Sequence, residues 1–449
     1  MSMFIGEERK TSLKILIDSA SLKSDNANRL LNYSDNDLFK FVSLGKSTKH
    51  TEAQFLLSSM KEINRIIING ERVKFSYKIS DIQMFSKLLD IKYDDLILTY
   101  ILATLIETSK KKIILVTERK KIFNRSNWGK NGFPNLLVNS IFSPDEAIIY
   151  IDLYCKSQNQ FLIAPDYYVN KGCWYLYSLK TKLLNYQQVW SVVISSEKYV
   201  PWQKELIEIT ESLSNRMIDI LIAIDEIGIN YYKEVNNDTQ DTMIYHFNYW
   251  VTLFTGIFDT LAWISKYRYQ IEFERVERIG LRKNRQKDFM KLIFEKNNKI
   301  KTFLEGNSSI INLMYIPRDL IMHRTRLKGV QLDNRNEKFC FNMVQIPEGF
   351  FKRIVALSKE KGDALREWGH CKSHDDYFLE PYRFVQKATS SLIKFVDGYL
   401  ELLNFDEYKK EQDKIIFGLK EKIENSDKPN SDKQFLQDLD NFNKFHLGY

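Results

Sequence analysis

Three side chains in the segment YIPRDLIMHR, residues 315–324, are of types that could act together on a phosphodiester bond. An arginine such as Arg318 can hold a phosphate through two parallel hydrogen bonds and stabilise developing negative charge. A histidine such as His323 can transfer a proton near neutral pH. Pro317 is typical of the first position of a helix. Asp319 and His323, four positions apart, would then share a face, so that the carboxylate can orient the imidazole.

This chemistry fits cleavage of RNA. The ribose 2′-hydroxyl attacks its own phosphate, the arginine stabilises the charge, and the histidine acts as general acid/base, so no metal is required. Arg318 and His323 are five positions apart, about 140° around an ideal helix. We therefore expect them to border one cleft, especially at a two-fold interface, rather than to stack on each other.

Positive charge is concentrated near this segment. The chain has 66 Lys and Arg against 58 Asp and Glu, a net charge of +8, which is a mild bias toward polyanions. Ten basic residues lie between Arg275 and Lys301. A solvated helix face or loop is the alternative interpretation of such a cluster. The predicted RNA-binding side chains are Arg275, Arg278, Arg282, Lys283, Arg285, Lys287 and Arg324.

With its R-D-L-I-M-H pattern, this part of the chain resembles the HEPN superfamily of helical nucleases, whose signature is an arginine, a polar residue, three to five others and a histidine. The resemblance implies that Arg318 is the catalytic arginine, Asp319 its polar partner and His323 the catalytic histidine. It also implies a homodimer in which both protomers line one cleft. It further implies a role in prokaryotic antiviral defence or as a toxin, with an antitoxin or regulatory protein as a further partner.

Acidic residues near the N-terminus suggest a second type of site. Asp18 follows the apolar run LKILI, Asp95 opens a predicted helix, Glu118 directly follows the run IILVT, and Glu52 begins another predicted helix. Carboxylates that converge at the carboxyl ends of parallel strands could bind Mg²⁺ or Mn²⁺. The alternative is a degenerate scaffold whose acidic residues only cap helices.

Residues 12–155 resemble a PIN-type nuclease domain. The segments that carry the resemblance are ILIDSASL (15–22), DDLILTYILA (94–103), ILVTERKKIF (114–123) and LLVNSIFSPDEAI (136–148). The family usually has an aspartate two residues after the threonine that corresponds to Thr117, and Arg119 stands there. Either Glu118 substitutes for that aspartate, or the site is degenerate and the basic residues 119–121 hold RNA phosphate instead.

Four segments are expected to position these residues. Apolar runs alternating with helical patterns at 51–68 and 94–107 predict an α/β domain with a parallel sheet over residues 1–155. Within it, LLVN (136–139) is a predicted strand, and Ser143, Pro144 and Glu146 predict a capping box that begins a helix. A small β insert or bridging element is predicted over 156–201, with strands at Trp174–Tyr177 and Val189–Ile194. An all-α bundle of about five helices is predicted over 202–405, and a charged helix or tail over 406–449.

Composition limits the remaining possibilities. No run of 18 apolar residues occurs, the N-terminus lacks a secretory signal, and four cysteines do not make a disulfide scaffold, so we expect a cytoplasmic protein without membrane contact. No Walker-type, dinucleotide-binding or Gly-x-Ser-x-Gly motif is present. The sequence predicts an α-rich, metal-independent endoribonuclease. A non-catalytic RNA- or partner-binding protein and a metal-dependent nuclease that uses the N-terminal carboxylates remain alternatives.

Overall fold

The computed structural model describes residues 13–18, 29–30, 33, 36–43, 66–68, 71–73, 113–118, 141–164, 167–195, 203–233, 236–282, 286–323, 327–334, 339–373, 376–403, 439 and 442. The described chain is rich in helix and forms two compact units. One contains the described residues up to 169 together with 332–334 and 339–341, and the other contains the described residues from 170 to 331 and from 342 onward. No helix in the described ranges is long and apolar enough to cross a membrane.

A small parallel sheet organises the first unit. Its strands are β1 (Leu13–Ile17), β2 (Phe39–Ser43), β5 (Ile113–Val116) and β6 (Ile141–Phe142), in the order β2-β1-β5-β6. All neighbouring strands in it are parallel. Two hairpins also lie in this unit: β3 (Ile66–Ile68) with β4 (Glu71–Val73), and β7 (Phe161–Ala164) with β8 (Tyr167–Val169).

The capping box of the first unit is confirmed. Helix α1 (Pro144–Ser157) follows β6, and the Ser143 hydroxyl accepts the Glu146 backbone N–H at 3.3 Å. The Glu146 carboxylate in turn accepts the Ser143 backbone N–H at 3.2 Å. These two contacts satisfy backbone N–H groups that have no partner within the helix itself. Because only neighbouring residues are involved, the start of this helix could be predicted from the local sequence.

The second unit is built mainly from helices. They are α2 (Lys171–Lys182), α3 (Leu184–Ser195), α4 (Gln203–Tyr232), α5 (Asn237–Arg268), α6 (Lys287–Lys296), α7 (Asn298–Gly306), α8 (Ser308–Leu313), α9 (Tyr315–His323), α10 (Glu348–Lys361) and α11 (Pro381–Leu402). Short 3₁₀ turns lie at Val276–Arg278 and Leu365–Trp368. A second four-stranded sheet has the order β11-β12-β10-β9, and its strands are β9 (Lys328–Asn334), β10 (Phe339–Ile346), β11 (His370–Ser373) and β12 (Asp376–Leu379). Residues 332–334 of β9 and 339–341 of β10 are grouped with the first unit, and the remaining residues of the sheet belong to the second.

Helix α5 forms the centre of this unit. Its large apolar side chains Phe247, Trp250, Phe254 and Phe258 are fully buried, and Phe384 of α11 packs against the first two. The indole N–H of Trp250 donates to the Thr389 hydroxyl at 3.1 Å, so this buried polar group is satisfied. Burial of each such side chain contributes about 1.5–3 kcal/mol. The position of α5 is therefore fixed by packing along most of its length.

Some sequence predictions were wrong. Trp174–Tyr177 and Val189–Ile194 lie in α2 and α3, not in strands. Short runs rich in aromatic and β-branched residues do not distinguish a buried helix from a strand by period alone. Ile66–Ile68, predicted as the end of a helix, form β3. The predicted all-α bundle also contains strands β9 to β12.

Other predictions lie mostly outside the described residues. These are the helix at 94–107, the strand at 136–139, most of the helix at 51–68 and nearly all of the tail from 406 onward. From the tail, the ring of Phe442 packs edge-on against Trp174, with ring centroids 5.6 Å apart.

Candidate functional site

Helix α9 carries Arg318, Asp319 and His323 and ends at His323. It begins at Tyr315, two residues before the predicted start at Pro317, so that prediction was wrong. The Arg318 backbone N–H donates to the Met314 carbonyl at 2.9 Å. Pro317 is the third residue of the helix, where its missing N–H removes no intrahelical hydrogen bond. Arg318 and Asp319 therefore lie one turn into the helix.

Asp319 contacts arginines. Its carboxylate lies 3.1 Å from Nη1 of Arg318 and 4.0 Å from Nη1 of Arg282. In the described part of the chain no hydrogen bond or ion pair joins Asp319 to His323. The predicted orienting contact on the imidazole is thus not formed, because the carboxylate is held by the two guanidinium groups.

Arg318 and His323 both reach solvent, but in different surroundings. The Arg318 side chain is 31% exposed and lines a pocket. The His323 side chain is exposed at the end of α9 and is not among the described residues that line this pocket. Because the two residues are five positions apart, they leave the helix in different directions.

The pocket beside Arg318 has a volume of about 530 Å³ and is formed by α5, α9 and the segment between α5 and α6. It is rich in arginine, and its charged lining is three arginines and two carboxylates. The lining residues are Asp259, Glu277, Arg278, Ile279, Arg282, Gln286, Tyr315 and Arg318. A small concave surface with converging guanidinium groups is suited to an anion such as phosphate.

Asp259 is the functional candidate that sequence reasoning did not assign. It lies on α5 and lines the pocket with Arg318. Burial raises the pKa of its carboxyl to about 6, and the charges of Arg318 and Arg216 oppose that rise. The available sequence signal is that Asp259 is the single charged residue in the apolar run 251–264. A group that titrates near neutral pH in a cleft is a candidate for function.

Two arginines make close approaches to neighbouring groups. The guanidinium of Arg282 lies over the Tyr315 ring, 4.3 Å from its centroid, a cation–π contact. Arg216 of α4 passes close to α5 at Gly256, where a Cβ atom would lie only 2.6 Å from Nη1. Glycine at this position therefore lets the Arg216 guanidinium approach one turn of α5 before Asp259.

A further arginine adds positive charge nearby. The Arg353 guanidinium, on α10, donates to the Asn312 carbonyl. Burial lowers the pKa of Arg353, and the like charge of Arg282 lowers it further, while Asp319 acts in the opposite direction. Arg282 is therefore close enough to both Arg353 and Asp319 for their charges to interact. Asp319 accordingly offsets positive charge from several arginines.

The predicted RNA-binding residues are only partly described. Arg275, Arg278 and Lys287 are exposed, and Arg282 is partly buried. Arg278 also lies 3.9 Å from Asp288 in a solvent-exposed ion pair. Lys283, Arg285 and Arg324 lie outside the described residues. Of this set, Arg278 and Arg282 line the pocket.

Two of the four N-terminal carboxylates are described. Asp18 is fully buried just after β1, and its carboxylate accepts the Thr117 hydroxyl at 3.0 Å. Glu118, next to Thr117, is partly exposed, and Glu52 and Asp95 lie outside the described residues. Among the residues that the structure describes, no group of three Asp, Glu, His or Cys side chains could hold a metal ion.

The described chain is thus an α-rich protein with a small parallel sheet near its N-terminus and an arginine-lined pocket in its helical unit. Comparison of the chain with models of protein families, with curated protein sequences and with solved structures finds no match.

Proposed function

We propose that the chain is an endoribonuclease that cleaves RNA by attack of the ribose 2′-hydroxyl on the adjacent phosphate, without a metal ion. The observation that carries the proposal is the solvent-accessible guanidinium of Arg318 at an arginine-lined pocket, on a helix whose exposed last residue is His323. A phosphate bound at the pocket meets several positive charges, which stabilise the added negative charge of a pentavalent transition state.

His323 is the proposed general acid/base of this reaction. As an exposed residue at the helix end, it can approach RNA from the solvent side. Proton removal from the 2′-hydroxyl and proton donation to the leaving 5′-oxygen yield a 2′,3′-cyclic phosphate and a 5′-hydroxyl end. Arg318 and His323 of one chain differ in direction, so a homodimer that places His323 beside the partner's pocket is part of the proposal.

Asp319 keeps Arg318 in its place in this proposal. The 3.1 Å contact between adjacent side chains limits the conformations of the arginine before RNA binds. This role differs from the predicted orientation of His323 by the carboxylate. A place in prokaryotic antiviral defence or toxin action, with an antitoxin or regulatory partner, accompanies the nuclease proposal.

The proposal is tested with the full-length chain and a pool of single-stranded RNA of random sequence, in the presence of EDTA. Arg318→Ala is expected to lower the cleavage rate about 100- to 1,000-fold. His323→Ala is expected to lower it about 100- to 10,000-fold. Met322→Ala is the matched control, since Met322 is an exposed neighbour on the same helix. Wild-type rates in both Arg318→Ala and His323→Ala would contradict the proposal.

One observation favours the alternative of a non-catalytic RNA-binding protein. His323 is not among the described residues that line the pocket, so the pocket can bind phosphate without an adjacent imidazole. The two candidates differ in their products. A wild-type chain that binds RNA with a steep salt dependence and leaves it uncut supports the binding protein. Cyclic phosphate ends that disappear in His323→Ala support the nuclease.

A further inference from the structure

The pocket beside Arg318 contains two acidic residues as well as its arginines. Arg278, Arg282 and Arg318 line it together with Asp259 and Glu277, so two carboxylates compete with an incoming anion for the three guanidinium groups. Asp319 adds to this competition through its contact with Arg318. A negatively charged ligand and an ionised Asp259 in one small, partly desolvated space repel each other.

A proton on Asp259 removes this conflict. A neutral carboxyl no longer competes for Arg318, and it gains an O–H donor that a phosphate oxygen can accept. Burial on α5 already raises the pKa of this carboxyl to about 6, so protonation needs little further help from the ligand. Arg318 from α9 and Arg216 from α4 favour the ionised form of Asp259. The other charged groups that line the pocket with it are Glu277, Arg278 and Arg282, from the segment between α5 and α6.

Another polar group in the pocket lacks a hydrogen-bond partner among the described residues. Tyr315 lines the pocket and is only 5% exposed, and its hydroxyl has no partner among the described residues. Burial, followed by the charge of Asp259, raises the pKa of Tyr315, so the hydroxyl stays protonated at neutral pH. Buried polar groups normally have partners. An unpaired donor beside three arginines fits a ligand that supplies oxygen atoms.

We propose that this pocket is a subsite for one RNA phosphate, and that the phosphate binds with the Asp259 carboxyl protonated and donating a hydrogen bond to it. The inference rests on the proposed function only for the identity of the ligand. It adds a role for Asp259, which the nuclease signature does not contain. Asp259 determines at which pH the subsite accepts a phosphate, and Arg318 supplies the charge.

Binding of a fluorescein-labelled 2′-O-methyl oligoribonucleotide tests this inference. The probe has RNA phosphates and no free 2′-hydroxyl, so binding is measured without cleavage. Fluorescence anisotropy gives Kd for the full-length chain and for Asp259→Asn from pH 5 to pH 8 at constant ionic strength. The amide mimics the neutral carboxyl. The ratio of wild-type Kd to variant Kd is expected to be near one at pH 5 and to rise above pH 6, with an upper limit of about tenfold per pH unit.

Three further variants complete the experiment. Asp238→Asn removes an exposed carboxylate from the first turn of the same helix and is expected to leave the ratio near one at every pH. In an Arg318→Ala background, the Asp259→Asn effect is expected to shrink several-fold. Tyr315→Phe, which removes one hydroxyl, is expected to weaken binding several-fold at all pH values, and this remains measurable if Asp259→Asn does not fold.

The possible results separate the two proposals. A Kd ratio that stays constant across pH, or weaker binding by Asp259→Asn at pH 8, overturns the phosphate subsite. If Asp259→Asn does not fold, the phosphate subsite is overturned when Tyr315→Phe binds the probe as tightly as the wild type does. If the ratio rises as expected but natural RNA stays uncut, the subsite stands and the nuclease proposal fails. If RNA is cut through Arg318 and His323 while the ratio is flat, the nuclease proposal stands and the role of Asp259 fails.

Discussion

Asp259 and Arg318 line one pocket from two different helices, and the arginine partly offsets the effect of burial on the carboxyl. Burial raises the pKa of Asp259 from its usual 3.8 to about 6, and Arg318 and Arg216 limit the rise. The pocket thus holds a carboxyl that changes charge within the physiological range beside a permanently charged guanidinium. Protein stability and anion binding should both depend on this group.

The stability of the fold should depend on the charge of Asp259. The folded protein binds the proton of the Asp259 carboxyl more tightly than the unfolded chain does, because burial raises the pKa in the folded state. The stabilisation that this proton provides is therefore fully present below about pH 4 and is lost as the pH rises through about 6. Asp259→Asn, which is always neutral, should therefore be more stable than wild type at pH 7.5. Since one pKa unit corresponds to about 1.4 kcal/mol, the gain is at most about 3 kcal/mol.

Urea unfolding followed by tryptophan fluorescence measures this difference, because Trp250 is buried on the same helix. The advantage of Asp259→Asn should narrow between pH 6 and pH 4. Asp238→Asn reports what removal of an exposed carboxylate does over the same range. If Asp259→Asn were less stable than wild type at pH 7.5, the ionised carboxylate would be stabilising the fold through its attraction to Arg318 and Arg216, which would contradict the prediction.

Gly256→Ala should raise the pKa of Asp259. The new Cβ would lie 2.6 Å from Nη1 of Arg216, so the end of this flexible side chain must move. Arg216 is one of the two charges that lower the pKa of Asp259, and its displacement removes that effect. Helix α5 should persist, since alanine favours a helix interior over glycine by about 1 kcal/mol.

The measurement is the pH at which the Asp259→Asn advantage in unfolding free energy reaches half its maximum, determined with and without Gly256→Ala. This midpoint should lie at higher pH in the Gly256→Ala background. Gly306→Ala is the matched control, since a Cβ there meets no atom within 4 Å. An unchanged midpoint would mean that the separation between the Arg216 guanidinium and the Asp259 carboxyl is the same in the Gly256→Ala background.

Parts of the fold could be predicted where local rules decide the structure. The capping box at Ser143 and Glu146 needs only neighbouring residues. Strands β1 and β5 are short apolar runs that pair in parallel. The strands expected at Trp174–Tyr177 and Val189–Ile194 were wrong because tertiary packing, not the local pattern, decides between helix and strand there.

The site was predictable only in part for a similar reason. Arg318, Asp319 and His323 lie on one helix, as their spacing indicates. The pocket around Arg318 is formed by groups distant in sequence, and Asp259 gives only the local signal of a charge inside an apolar stripe. The partners of Asp319 could not be read from helical spacing, because Arg282 comes from outside α9.

The basic side chains of the pocket should determine part of the salt dependence of RNA binding. For single strands, each lost phosphate contact reduces the slope of log K against log salt by about 0.7. Because both arginines line the proposed subsite for one phosphate, the double variant Arg278→Ala/Arg282→Ala should give a slope shallower by about 0.7, measured by anisotropy with the 2′-O-methyl probe. Lys204→Ala is the control, since Lys204 is 85% exposed on α4. If the double variant and the wild type had equal slopes, RNA would bind at a surface other than this pocket.

RNA cleavage should survive both EDTA and loss of the Asp18 carboxylate. The proposed reaction uses Arg318 and His323, while Asp18 is buried at the end of β1 and accepts the Thr117 hydroxyl. Asp18→Asn should therefore lower stability by about 1–3 kcal/mol through this contact, and leave the cleavage rate of folded protein unchanged. The rate is measured on labelled RNA in EDTA and again with added Mn²⁺, with the folded fraction determined by circular dichroism. If EDTA stops cleavage, Mn²⁺ restores it, Asp18→Asn abolishes it and His323→Ala has no effect, the N-terminal carboxylates are the catalytic site. Those four results together would assign the nuclease active site to the unit with the parallel sheet and not to the helical unit.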